Sequence, residues 1–206
     1  MGAVARKVGI EHEWFHNHDN TNGGTHNRYP LIQYKLDTAY GQMRPMLFCL
    51  DDAIEEAHHF FSQPDWSVNI RGAQYDLRIA RLHVNQCRLN AWDKTFGYRL
   101  HKWQALNPDN FQKYRSLSGI VAQYAFLEEL LRRQIHSFAI GVGWDLGTDF
   151  ALRITSHARE EWLQYKDKQK ILVFTLDFET NLSLPDFVGI GKGASRGLGV
   201  VRRNSI

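Results

Sequence analysis

Along this 206-residue chain the spacing of apolar residues switches repeatedly between a strand's period and a helix's, and that alternation limits the fold more than any other feature. Residues 3–10 read as a short helix. Tyr29–Leu36 (YPLIQYKL) predicts a strand, with Pro30 at its start, where proline is tolerated. Met46–Leu50 is a short apolar strand. Asp51 and Asp52 then offer an N-cap, and Ala53, Ile54, Ala57, Phe60 and Phe61 recur at helical spacing until Pro64. The adjacent pair His58-His59 on that helix predicts one surface and one half-buried position. Extended runs follow near 67–72 and 75–86, and Phe96, Tyr98 and Leu100 alternate as in a half-buried strand. Asn107-Pro108-Asp109 opens the clearest helix, with Ile120, Tyr124, Leu127, Leu131 and Ile135 on one face and a break between Ser116 and Gly119. Strands are expected again at Phe138–Val142, Phe150–Ile154 and Ile171–Phe178, with a short basic strand at the end. Helices interspersed among antiparallel-looking strands, arranged twice, favour an α+β architecture over a doubly wound parallel sheet.

Composition excludes several classes. With 43% hydrophobic and 13% aromatic residues the chain is not a disordered segment, and it can fill one large core or two of about a hundred residues each. No stretch approaches the roughly 20 apolar residues of a membrane span, and the N-terminus lacks a secretory signal pattern. Cys49 and Cys87 support neither a disulfide scaffold nor a four-thiolate zinc site; they read as free thiols in a reducing compartment, the cytoplasm. Charge is unevenly placed. Residues 71–115 carry 9 basic and 3 acidic side chains, and the last twenty hold Lys192, Arg196, Arg202 and Arg203 with no acid, whereas 1–70 and 116–186 are net negative. Two basic blocks in a near-neutral protein fit a localised polyanion footprint, although basic side chains solvating exposed strands give the same count.

The most suggestive chemistry lies in EHEWFHNHD, residues 11–19. In an extended segment His16 and His18 project from one face, about 6–7 Å apart. Two imidazoles at that spacing can flank one phosphodiester, one taking the proton from a ribose 2′-OH and the other protonating the departing 5′-oxygen. Such a reaction needs no metal, because the nucleophile belongs to the RNA. Lys35 or a nearby arginine can stabilise the charge on the phosphorane. The competing readings are two loop histidines among the ten present, or a zinc site in which His12 or Asp19 joins the pair. No second cluster completes a zinc signature. The letters HNH do not make the metal nuclease of that name, whose histidines are dispersed along the chain.

Gly189 to Gly199 reads GIGKGASRGLG. A Walker loop requires Ser or Thr after Gly-Lys, but Gly193 follows Lys192. A dinucleotide fingerprint requires a following helix, and the chain ends within seven residues. What remains is a backbone able to approach a ligand closely, with Lys192 and Arg196 beside it, which suits a sugar-phosphate chain. A glycine hairpin serving only tight packing is the alternative.

The histidine pair, Arg28 to Lys35, Tyr98 to Asn107 (YRLHKWQALN), Leu182 to Pro185 and the Gly189–Gly199 loop together resemble one family, in the expected order over most of the chain. It is the CRISPR-associated repeat-processing endoribonucleases of the RAMP superfamily, and the likeness is to the type I-B subgroup. The resemblance implies tandem ferredoxin-like (RRM-related) domains, 1–90 carrying the histidine pair and 91–206 carrying the glycine loop. It implies metal-independent and cofactor-free cleavage of repeat RNA, giving a 2′,3′-cyclic phosphate and a 5′-hydroxyl. His16 and His18 then fall at the family's catalytic position, as base and acid in either order. Tyr29 and Lys35 follow as secondary catalytic candidates, for orienting the phosphate and stabilising charge, and His26 as a third proton carrier. Gly189, Gly191, Lys192, Gly193, Arg196, Gly197 and Gly199 become RNA-binding candidates. The implied partner is CRISPR repeat RNA; other Cas proteins of an effector complex and a homodimer are further partners the resemblance admits. One departure is that family members open with a strand, whereas this chain begins at the first helix, so the first domain is expected to lack its N-terminal strand and expose a sheet edge. The competing functions are a non-cleaving RNA-binding subunit of the same superfamily and a zinc-dependent hydrolase using His12, His16 and His18.

Overall fold

The computed structural model describes residues 2–9, 15, 28–37, 43–166 and 169–204. The chain divides into two compact units, Met1–Cys87 and Arg88–Ile206.

In unit 1, helix α1 (Gly2–Val8) precedes an antiparallel hairpin of β1 (Ile32–Asp37) and β2 (Arg44–Cys49). Helix α2 (Ala53–Phe61) and a second hairpin, β3 (Ser67–Ile70) with β4 (Ala73–Asp76), follow. The two hairpins form separate two-stranded sheets among the described residues. Ala53, Ala57 and Phe60 recur at three and four residues and bury one face of α2, as their spacing requires. Phe60 meets the buried Phe15 ring at 6.2 Å, and Phe61 and Trp66 extend the aromatic cluster. Asp52 stands at the helix start, but its carboxylate makes no capping bond. Backbone turns from Ala53, Ile54 and Glu55 to the carbonyls of Leu50, Asp51 and Asp52 close that end instead. His58 and His59 are both exposed, against the expected split, because the buried face is already filled by Ala57 and Phe60. Extended structure stops at Asp76; residues 77–90 have no regular secondary structure.

Unit 2 is built on one sheet in the order β6 (Leu152–Ile154), β8 (Gln169–Leu182), β5 (Ala91–Trp103) and β9 (Val200–Arg203). Strand β5 (Ala91–Trp103) is followed by helices α3 (Pro108–Ser116) and α4 (Ile120–Gly141), then β6 (Leu152–Ile154), β7 (Arg159–Lys166) and β8 (Gln169–Leu182). A single 3₁₀ turn (Ala194–Arg196) leads to β9 (Val200–Arg203). This is the β-α-β-β-α-β plan of ferredoxin-like domains, with the second helix reduced to that turn and β7 paired along the first half of β8. Asn107 accepts a capping bond from the Asn110 amide at 2.8 Å with Pro108 in the first turn. Leu117 turns extended and Gly119 takes φ +86°, which separates α3 from α4.

Phe138–Val142 is not the expected strand. Phe138 lies three residues from Ile135 and seven from Leu131, so it completes the buried stripe of α4, which runs on to Gly141. Ile120, by contrast, is 56% exposed. The core joins Leu127, Leu131, Ile135 and Phe138 of α4 to Tyr98, Leu100 and Trp103 of β5 and Phe174, Leu176 and Phe178 of β8. The Tyr98 hydroxyl donates to the Leu182 carbonyl and accepts from the Leu184 amide, fixing the end of β8. Edge strand β6 is covered from α4: Glu128 accepts from the Ile154 amide, and Arg132 donates to the carbonyls of Phe150 and Leu152. No helix among the described residues is long and apolar enough to cross a membrane.

Candidate functional site

His12, His16, His18, Asp19 and His26 lie outside the described residues. What the structure places in unit 1 is the other half of the predicted set. Gln33 and Lys35 are two residues apart on β1 and therefore share a face, and both are buried. The Lys35 ammonium donates to Gln33 Oε1 at 2.7 Å. Gln33 Nε2 in turn donates to the Tyr29 hydroxyl at 2.7 Å and to the Pro30 carbonyl at 3.0 Å. The amide thus holds Lys35 and Tyr29 in one hydrogen-bonded line, and the Phe48 ring lies 5.4 Å from the ammonium. Burial brings the Lys35 pKa down to about 7, so charged and neutral amine coexist at neutral pH. Burial pushes Tyr29 up, against the opposing bond from Gln33, so it stays a neutral phenol. A cation that titrates near neutrality beside a phenol donor can stabilise an added negative charge and move a proton. Gln33 was not among the predicted residues, although its place two positions before Lys35 in a strand is a signal that finds it.

In unit 2 the glycine segment is held closely by its own neighbours. Ile190 N donates to Gly199 O at 2.7 Å, and Gly199 N donates to the Lys102 carbonyl at 3.1 Å. The amides of Ala194, Arg196, Gly197 and Leu198 also donate to carbonyls of the segment, so its backbone donors are largely engaged. Two glycines are required by close approach. At Gly191 (φ +86°) a Cβ would fall 2.3 Å from Gln134 Oε1, the acceptor of the Trp103 indole N–H. At Gly199 (φ +62°) it would fall 1.9 Å from the Ile190 carbonyl oxygen. Gly189 bridges Val200, while Gly193 and Gly197 flank the 3₁₀ turn with φ near +80°. Lys192 and Arg196 stay exposed; the Arg196 guanidinium lies 4.5 Å from the Tyr165 ring. The chemistry this loop offers a ligand therefore comes from two cations on a braced backbone.

Gly199→Ala is expected to destabilise the protein by about 3 kcal/mol, since the left-handed backbone and a carbonyl clash act together. Thermal melting should show a Tm lower by about 6–12 °C. A change within about 2 °C would mean that the loop is not braced this way.

Among the described residues no group of three His, Cys, Asp or Glu side chains is placed to hold a metal ion. The zinc alternative rests on His12, His16 and His18, which fall outside those residues.

The family model described as the Cas6b N-terminal domain matches residues 1–88, and that of the Cas6b C-terminal domain matches 90–204. No curated protein sequence matches the chain. Among solved structures, a crystal structure of Cas6b superposes with a TM-score of 0.82 at 25% identity, covering 98% of this chain and 89% of the other. A second, described as CRISPR RNA processing endoribonuclease Cas6b, gives 0.63 at 24% identity over 86% and 83%. Csf5, a CRISPR-Cas type IV Cas6 crRNA endonuclease, gives 0.57 at 12% identity over 97% and 92%. The last two likenesses speak for the fold.

Proposed function

Because the chain belongs to the Cas6b family, we propose that it is an endoribonuclease that cuts CRISPR repeat RNA. The observation that carries this reading is the end-to-end match, one domain model meeting the next over residues 1–88 and 90–204. CRISPR repeat RNA is the partner, and the cytoplasm is the compartment.

The reaction is an internal transesterification. The 2′-oxygen of the nucleotide before the cut attacks the adjacent phosphorus, and its proton passes to one of His16 and His18. The P–O5′ bond breaks as the other histidine protonates the leaving oxygen, giving a 2′,3′-cyclic phosphate and a 5′-hydroxyl. The charge that builds on the non-bridging oxygens is met by Lys35 in its ammonium form. Gln33 orients that ammonium through the bond to Lys35, and Tyr29, kept neutral by burial, is a donor rather than a base. The glycine loop supports RNA binding through Lys192 and Arg196. Nothing in this sequence of steps calls on a metal ion.

The test is cleavage of the repeat RNA in excess EDTA, beside a substrate with a single 2′-deoxy substitution at the cut site. Cutting is expected to persist in chelator and vanish on the deoxy substrate. Chelator-sensitive cutting would replace this reading with the metal hydrolase, and binding without cutting would replace it with a non-catalytic subunit.

A further inference from the structure

One face of the unit 2 sheet packs on α4, and the other carries a cluster of charge that neither the histidine pair nor the glycine loop uses. Register sets it. Arg99 on β5 stands opposite Asp177 on β8 and opposite Arg202 on β9. His101, two residues further along β5 and so on the same face, stands opposite Val200. Arg159 on β7 stands opposite Thr175 of β8. Arg99, His101, Arg159 and Arg202 are all exposed.

The cluster is both organised and unbalanced. Both oxygens of Asp177 are taken by Arg99, Nε at 2.6 Å and Nη2 at 2.8 Å, so that carboxylate is already engaged. Arg202 lies 3.8 Å from the Phe187 ring and pairs with Asp186 at 3.2 Å. Arg159 has no ion-pair partner among the described residues. One step along the face, Glu179 of β8 stands opposite Arg153 of β6. Three guanidiniums from three strands thus surround an imidazole; Asp177 and Asp186 engage two of them, and Arg159 shares a hollow with Lys102, Glu160 and Glu161. Partial burial first, then Arg99 and Arg202 with Arg159 adding, hold the His101 pKa below its ordinary value, and Asp177 opposes them. Burial and the surrounding guanidiniums together disfavour the imidazolium form of His101.

We propose that this open sheet face is a phosphodiester-binding surface on which bound RNA and a proton on His101 stabilise each other. Guanidiniums projecting from one face of a sheet suit phosphate oxygens, which they grip in pairs. A phosphate entering among Arg99, Arg159 and Arg202 cancels the repulsion felt by an imidazolium, and His101 takes up a proton and becomes a further donor. By reciprocity, lowering the pH through the range of that histidine tightens RNA binding by the same factor. This inference rests on the RNA reading above and adds to it a second contact area and a pH dependence of affinity.

The experiment uses the full chain with the 2′-deoxy repeat RNA, so that no cutting intervenes. The His101 imidazole proton resonance, assigned by comparison with H101Q, is titrated with and without saturating RNA. Affinity is measured at pH 5.5 and pH 8 at constant ionic strength for wild type, H101Q and R159Q. RNA is expected to raise the His101 pKa by about one unit, and the gain in affinity on acidification to be about tenfold larger in wild type than in H101Q. R159Q should weaken binding at both pH values. An unchanged His101 titration under saturating RNA would overturn the proposal while leaving the RNA reading intact. A response to inorganic phosphate that RNA fails to elicit would overturn the polynucleotide assignment of the face. Absence of RNA binding at either pH would overturn the functional reading, and this inference with it.

Discussion

Alanine at both His16 and His18 is expected to slow repeat cleavage by about 10⁴-fold or more while changing repeat affinity by less than about threefold. A positioned acid or base contributes roughly 10²–10⁴, and the two act on one transition state, so the double variant should fall little below the worse single one. Affinity is expected to survive because the basic blocks elsewhere can meet the phosphates: 9 basic against 3 acidic side chains in residues 71–115, and four cations in the last twenty. The two roles can be separated with a substrate whose leaving 5′-oxygen is replaced by sulfur. Sulfur departs without a proton, so this substrate should restore the variant lacking the acid and not the variant lacking the base. Cleavage within tenfold of wild type in the double variant would remove the pair from the mechanism and turn attention to His26.

Lys35→Met should lower the cleavage rate by about 10²–10³ and, unusually for a site residue, raise stability at neutral pH. Lys35 titrates near 7 in the folded chain and near 10.5 when exposed, so above pH 7 the unfolded chain holds a proton that the folded chain does not. Unfolding free energy of the wild type therefore rises with pH, by about 2 kcal/mol between pH 7 and 8.5. The rise must then bend over. Burial pushes Cys49 up to about 12 and also raises Tyr29 and Tyr34, so the folded chain keeps protons that the unfolded one releases. Methionine removes the buried charge but leaves Gln33 Oε1 without the ammonium, a partial offset of about 1–3 kcal/mol. A net gain of about 2 kcal/mol at pH 7 and a flat profile from 7 to 8.5 are the outcomes to look for in denaturant titrations. Loss of stability at pH 7 would mean that the amine is not buried as described. Full activity with the predicted gain would make Lys35 structural only.

Parts of the fold are legible because the responsible signals are local. The Asn107 cap needs only Asn110 three residues on, and the break before Gly119 needs only a positive φ that glycine tolerates. Where local signals tie, reading along the chain fails. The run Phe138–Val142 satisfies a strand as well as a helix, and the stripe from Leu127 decides for the helix. Strand β7 went unpredicted because Arg159–Lys166 is an edge strand with exposed Glu160, Trp162 and Gln164. Its extended form comes from pairing with β8, not from burial of an alternating face.

The same division runs through the function. The amino-acid order alone determined the family, through a histidine pair, a motif before a capped helix and a glycine loop, because each is a short pattern readable without any distant contact. It also carried Lys35 and Tyr29 into the candidate site. Only the tertiary structure decided that Gln33 joins them, that burial sets the Lys35 proton near neutrality, and that the loop glycines answer to Gln134 and Ile190. It alone set Arg99 against Asp177, 78 residues away, and gathered Arg159 and Arg202 around His101. Sheet register, desolvation and steric exclusion are relations between distant segments, and they come into existence only when the chain has closed upon itself.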